Sequence, residues 1–222
     1  LVQPVIFVVM FAFVFGGARS SLRSAASPFV YATAFVYADP VKHYRKLSDL
    51  AILETFSGLR ESYPRLWSAS VIAELVLRTS GCGGEHAEVL DLSLRALRLL
   101  ANADERLAET TLLSYLWKSL GIMGLQPDPS ACASCGRPLA GMRYSASSEG
   151  FVCGACDGEG ALLNSWEQRC LMVFTGEELE ACAALAGEPD GQDPASTASL
   201  KSVIYYLAQK AAEGTLVTLA TE

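Results

Sequence analysis

Cys132-Ala-Ser-Cys135 and, after a spacer of seventeen residues that begins with Gly136, Cys153-Gly-Ala-Cys156 are two C-x-x-C turns of one kind. A two-residue spacer lets the backbone fold back so that both thiolates of a pair face one point. Two such turns complete a tetrahedral set of four sulfurs. Gly136 and Gly154 relieve crowding where backbone amides turn toward sulfur. Four thiolates leave no coordination position for water, so Cys132, Cys135, Cys153 and Cys156 predict one structural zinc ion and no catalytic metal. Iron in a rubredoxin-like site would take the same ligands. A thioredoxin-like redox pair needs only one of the two motifs, and two disulfides would require a secreted chain. The other three cysteines, Cys82, Cys170 and Cys182, are scattered through apolar runs, which suits buried thiols in a reducing cytosol.

Outward from this segment, which spans 127–160, the sequence reads as helix on both sides. Pro64 opens a helix that runs to Arg78, with Leu66, Ile72, Leu75 and Val76 on one face. Further helices are expected over 85–100, 105–120, 161–185 and 199–213. Their apolar faces are wide enough for a bundle, and Trp67, Trp117 and Trp166 are candidate core residues. The loop Gly187-Glu-Pro-Asp-Gly-Gln-Asp-Pro194 separates the last two.

The N-terminal part has a different period. Phe11-Ala-Phe-Val-Phe15 alternates, and Phe29–Tyr37 is rich in β-branched and aromatic residues. Between them runs a small, basic loop from Gly16 to Ser27. Short strands around such a loop predict a small β-barrel, although three or four strands would leave it incomplete. Charge divides at the same place. Residues 1–65 hold seven basic and four acidic residues, whereas 66–222 hold ten and twenty. Opposite fields suggest two domains with different partners, and a polyanion suits the first. Within it, Arg19 and Arg23 lie in the loop, and Lys42, Arg45 and Lys46 cluster after Pro40. These five are the candidate phosphate contacts. Tyr37 and Tyr44 are candidates for stacking on bases.

Several function classes are excluded or disfavoured. The uncharged run Val5–Phe15 is eleven residues long, short of the roughly 20 that a membrane helix needs, and no basic stretch precedes it. No membrane partner is therefore expected. Neither phosphate-binding glycine motif occurs, and His43 and His86 are far apart in sequence. No catalytic residue is nominated, so the chain is read as a non-enzyme.

Three stretches carry a family resemblance. The first is Phe11–Phe15 followed by Gly-Gly-Ala-Arg19 and Arg23. The second is Pro28-Phe29 leading into Val30–Tyr37 and then Leu47–Phe56. The strongest is Leu112–Gly136, in which Leu120-Gly-Ile-Met-Gly-Leu-Gln-Pro-Asp128 precedes Cys132-x-x-Cys-Gly136. In these the chain resembles RecO, the bacterial recombination mediator and DNA repair family, over about two thirds of its length. Leu1–Met10 departs from the family's usual opening strands.

The resemblance implies an α+β fold: an N-terminal OB-fold β-barrel that binds DNA (residues 1–58), then an all-helical domain (59–222) with an inserted four-cysteine zinc finger (127–160). It implies binding to single- and double-stranded DNA and annealing of complementary strands. It also implies a partnership with RecR in loading RecA onto DNA coated by single-stranded DNA-binding protein. The acidic C-terminal tail of that coating protein would dock on the helical domain; there Lys118 and Arg169, sparse cations in an acidic region, suit its carboxylates and equally suit local salt bridges. Cytoplasmic localisation, at the nucleoid during repair, goes with this. The rival reading is a zinc-containing scaffold that binds only proteins.

Overall fold

The computed structural model describes residues 2–9, 29–39, 44–79, 87–139, 141–156, 160–188 and 194–219. They fall into two compact units, Leu1–Glu61 and Ser62–Glu222.

In the first unit, β1 (Val2–Val9), β2 (Val30–Asp39) and β3 (Tyr44–Thr55) form an antiparallel sheet in that order. β1 pairs with β2 from Val2↔Tyr37 to Val9↔Val30. Period-two alternation buries Val30, Ala32 and Ala34, while Tyr31, Thr33 and Phe35 on the other face are half-buried. β3 has twelve residues against ten in β2. Two register shifts absorb the difference and leave Ser48 and Leu53 with no residue opposite them. Such bulges bend a strand and tighten its twist.

This sheet overturns the OB-fold barrel expected as the β part of the α+β fold. Among the described residues β1 and β3 each pair only with β2, and the remaining sheet is a separate two-stranded hairpin. A barrel closes only when its outer strands meet, and an OB-fold uses five strands to do so. Three strands are too few to bring their edges together, so among the described residues the sheet is open. The basic loop expected from Gly16 to Ser27 lies outside the described residues.

The second unit is a helical bundle. It comprises α1 (Tyr63–Thr79), α2 (Ala87–Asn102), α3 (Ala108–Ile122), α4 (Ser165–Gly176), α5 (Leu179–Ala184) and α6 (Ala198–Ala211). α3 is its axis and touches all five of the others. Residues 111–117 of α3 are all buried, as expected of a helix that is surrounded on every side. Inside it, Tyr115 Oη and Ser93 Oγ lie 2.9 Å apart, which satisfies two polar groups in the core. The apolar run expected as one helix over 161–185 is broken after Gly176, where Glu177 takes an extended conformation. Among the described residues, no helix is long and apolar enough to cross a membrane.

The segment after α6 is tied back to α1. The Glu74 carboxylate accepts from the amides of Val217 and Thr218, both at 2.8 Å, and the Trp67 indole donates to the Thr218 carbonyl at 3.1 Å. Burial works to raise the Glu74 pKa, but the two amides and Arg78 outweigh it and hold the carboxyl below its usual value. A lowered folded-state pKa contributes stability above the unfolded value and loses it as the pH falls through the folded one. Glu74→Gln should therefore free residues 215–219 to hydrogen exchange at neutral pH. It should cost about 1–2 kcal/mol, a difference that disappears in acid as the wild-type carboxyl protonates.

Candidate metal centre

The segment between α3 and α4 folds around its cysteines. A bridge between Ala131 and Pro138 closes the first turn. Within it the Cys132 amide donates to the Arg137 carbonyl and the Gly136 amide to the Cys132 carbonyl, both at 2.8 Å. Gly136 has φ of 70°, a left-handed conformation that favours glycine and reverses the chain just after the second thiol. The second turn continues a hairpin of β4 (Met142–Ser145) and β5 (Gly150–Cys153), with Met142 opposite Cys153. The Ala133 amide donates to the Phe151 carbonyl at 2.8 Å and locks the first turn onto β5. Gly150 permits this approach, since a Cβ there would lie 2.8 Å from that of Ala133.

These elements bring together all four predicted ligands, whose Sγ atoms lie within 4.8 Å of one another. Zinc–thiolate bonds of about 2.3 Å set tetrahedral sulfurs about 3.8 Å apart. Cys135 and Cys153 Sγ are 3.9 Å apart. Cys132 and Cys153 are buried, while Cys135 and Cys156 face outward. Sulfur also finds the donors that a thiolate site requires. The Cys153 amide donates to Cys132 Sγ at 3.3 Å, and Arg137 Nε donates to Cys135 Sγ at 3.4 Å.

The electrostatics test the fit. The Cys153 amide holds the Cys132 thiol down to about 6, and the Arg137 guanidinium lowers Cys135. Cys156 is pushed up to about 12, first by its contact with Cys135. Its neighbouring sulfurs thus oppose ionisation of Cys156, and a divalent ion at the centre would remove that conflict. Four soft donors, tetrahedral spacing and no open position fit zinc, and the cluster is a structural zinc site.

A chain of rings attaches the hairpin to the bundle. Phe151 lies 6.2 Å from Trp117 of α3 and 5.8 Å from Tyr144, which lies 5.8 Å from Tyr206 of α6. Lys210 of α6 pairs with Glu149 in the hairpin turn. Sequence reasoning identified the ligands and passed over Tyr144, Phe151 and Arg137. The alternation of Met142, Tyr144 and Phe151 about a Ser-Ser-Glu-Gly turn was the signal for the first two.

The other candidate residues are placed differently. Arg45 and Lys46 lie on β3, opposite Ala38 and Tyr37. Arg19, Arg23 and Lys42 lie outside the described residues. Tyr37 is exposed. Lys118 Nζ donates to the carbonyls of Phe174 (2.9 Å) and Glu177 (2.5 Å), capping the end of α4. Arg169 forms a two-pronged pair with Glu188 at 2.7 and 2.9 Å and lies over the Trp166 ring. Lys118 and Arg169 are thus both engaged within the unit.

Comparison with known proteins decides the family. The family model described as "Recombination protein O C terminal" matches residues 60–211, most of the helical unit and the whole cysteine segment. The chain belongs to the RecO family.

Among curated relatives, the DNA repair protein RecO of Desulfitobacterium hafniense (strain DSM 10664 / DCB-2) is 30% identical over 141 residues, 59% of this chain and 49% of that protein. That of Pelotomaculum thermopropionicum is 38% identical over 105 residues, 47% of this chain and 40% of that protein. That of Anaeromyxobacter dehalogenans (strain 2CP-C) is 31% identical over 145 residues, 63% and 56% of the two chains. The chain therefore spans about half the length of the curated relatives it matches.

Proposed function

We propose that the chain is a mediator of DNA repair and homologous recombination. It binds single- and double-stranded DNA and anneals complementary strands. With RecR it helps to load RecA onto DNA coated by single-stranded DNA-binding protein, in the cytoplasm and at the nucleoid. The family match over 60–211 carries the reading. The division of charge supports it, because the basic part, 1–58, is the DNA-binding domain of this scheme and the acidic part, 59–222, the protein-binding one.

Arg19, Arg23, Lys42, Arg45 and Lys46 are the proposed phosphate-binding residues. Replacing all five by Ala should weaken duplex binding almost uniformly across sequences. The slope of log affinity against log salt should fall by about 0.9 for each phosphate no longer neutralised. Unchanged affinity and slope would reject the assignment. Absence of DNA binding in the unmodified chain would favour the protein-only scaffold.

The acidic tail of the coating protein is proposed to bring its carboxylates to Lys118 and Arg169, with its apolar end in a helix-lined groove. Because Arg169 is held by Glu188, the tail must exchange with that carboxylate. Glu188→Gln should then tighten binding of a tail peptide, and Arg169→Ala should weaken it. Calorimetry giving the same affinity for both variants as for the unmodified chain would remove Arg169 from the site.

A further inference from the structure

We propose that Cys135 is the entry point for oxidation of the zinc site, where a peroxide links it to Cys153 and expels the ion. The inference rests on the zinc site and is independent of DNA binding. Each turn presents one outward thiolate and one buried one, so a small oxidant reaches Cys135 or Cys156 before Cys132 or Cys153. Cys135 meets two further requirements of the reaction. Its Sγ already lies 3.9 Å from Cys153 Sγ, and a closure of about 2 Å gives a disulfide bond length. Arg137 Nε lies 3.4 Å from the same sulfur, placing a fixed positive charge beside the hydroxide that leaves when sulfur attacks a peroxide oxygen.

The chemistry balances. The Cys135 thiolate attacks the peroxide, the O–O bond breaks, and with one proton the products are a sulfenic acid and water. The Cys153 thiolate then displaces hydroxide from that sulfur, which leaves as water with a second proton. Two sulfurs lose one electron each, and the peroxide gains both. Zinc retains only Cys132 and Cys156 and dissociates. The remaining described cysteines do not compete, since Cys170 and Cys182 are buried and burial pushes the Cys170 thiol up to about 12 and raises that of Cys182.

The release is felt in the bundle. Cys153 ends the strand that carries Phe151, and Phe151 packs on Trp117 in the fully buried stretch of α3. Drawing Cys153 toward Cys135 pulls on that packing, so Trp117 reports oxidation at a distance from the thiols.

The test uses the zinc-loaded full chain with one equivalent of hydrogen peroxide. Zinc is followed with a chromogenic chelator and disulfides are mapped by peptide mass spectrometry. Zinc release in step with a Cys135–Cys153 linkage is expected, together with a change in tryptophan emission. A first product linking Cys132 to Cys135 or Cys153 to Cys156, or oxidation elsewhere with zinc retained, would overturn the proposal. Arg137→Ala keeps all four ligands. It should hold a full complement of zinc and release it at least about threefold more slowly under peroxide. An unchanged rate would overturn the role given to Arg137.

Discussion

Cys153→Ser should abolish stoichiometric zinc binding and unfold the segment between α3 and α4. Cys153 is buried and pairs opposite Met142 in the hairpin, so Cys153→Ser removes one ligand from the strand whose amide also serves Cys132 Sγ. Structural zinc contributes about 10–16 kcal/mol to small zinc-binding peptides, and three thiolates with one hydroxyl retain little of it. The core of the segment by itself is slight: Cys132, Val152 and Cys153, with Leu139 against them. The bundle keeps its own larger core, so the expected result is a folded helical unit with a disordered hairpin. Phe151 should then come away from Trp117, and stability to denaturant should fall by at least about 3 kcal/mol. Elemental analysis, hydrogen exchange over 131–156 and tryptophan emission check the three parts separately. A variant that kept one zinc per chain would show that the ion is held by other groups.

The second large effect is expected at Glu167, which is only 1% exposed. Its carboxylate accepts from the Asn164 amide and from the Leu200 amide, both at 2.8 Å, while Asn164 Oδ1 accepts in return from the Glu167 amide. One buried charge therefore caps the first turn of α4 and the first turn of α6, where both helix dipoles favour a negative group. Hydrogen bonds to charged groups are worth about 1.5–3 kcal/mol each, so Glu167→Ala should cost about 3–5 kcal/mol and leave two amides unpaired. Glu167→Gln should cost less, since its oxygen can still serve one of them. Chemical denaturation of the two variants gives the comparison, and equal loss would assign the effect to packing alone.

The cysteine cluster was legible in the sequence because a C-x-x-C turn is local: two residues of spacer fix where both thiolates point. The cap at Asn164-x-x-Glu167 is equally local. Its reach to Leu200, thirty-three residues on, is tertiary and leaves no trace in the spacing. The helices follow from apolar periodicity, but the break at Gly176 sits inside an apolar run that periodicity alone cannot divide. The barrel failed for a different reason. Strand composition in Val30–Tyr37 says that a segment pairs, without saying whether the outermost strands meet, and closure depends on strand number and stagger across the whole sheet. Whether Lys118 and Arg169 pair locally or serve a partner is open in the sequence, because the end of α4 and Glu188 are brought to them only by the fold.

Four thiolates hold one zinc ion, and the ion takes no part in chemistry. X-ray absorption at the zinc edge on the reduced chain puts this to the test without any substitution. One zinc per chain is expected, with a first shell of four sulfurs at about 2.3 Å and no nitrogen or oxygen. A shell containing water, imidazole or carboxylate, or reduced protein from zinc-replete medium that carried no zinc, would contradict it.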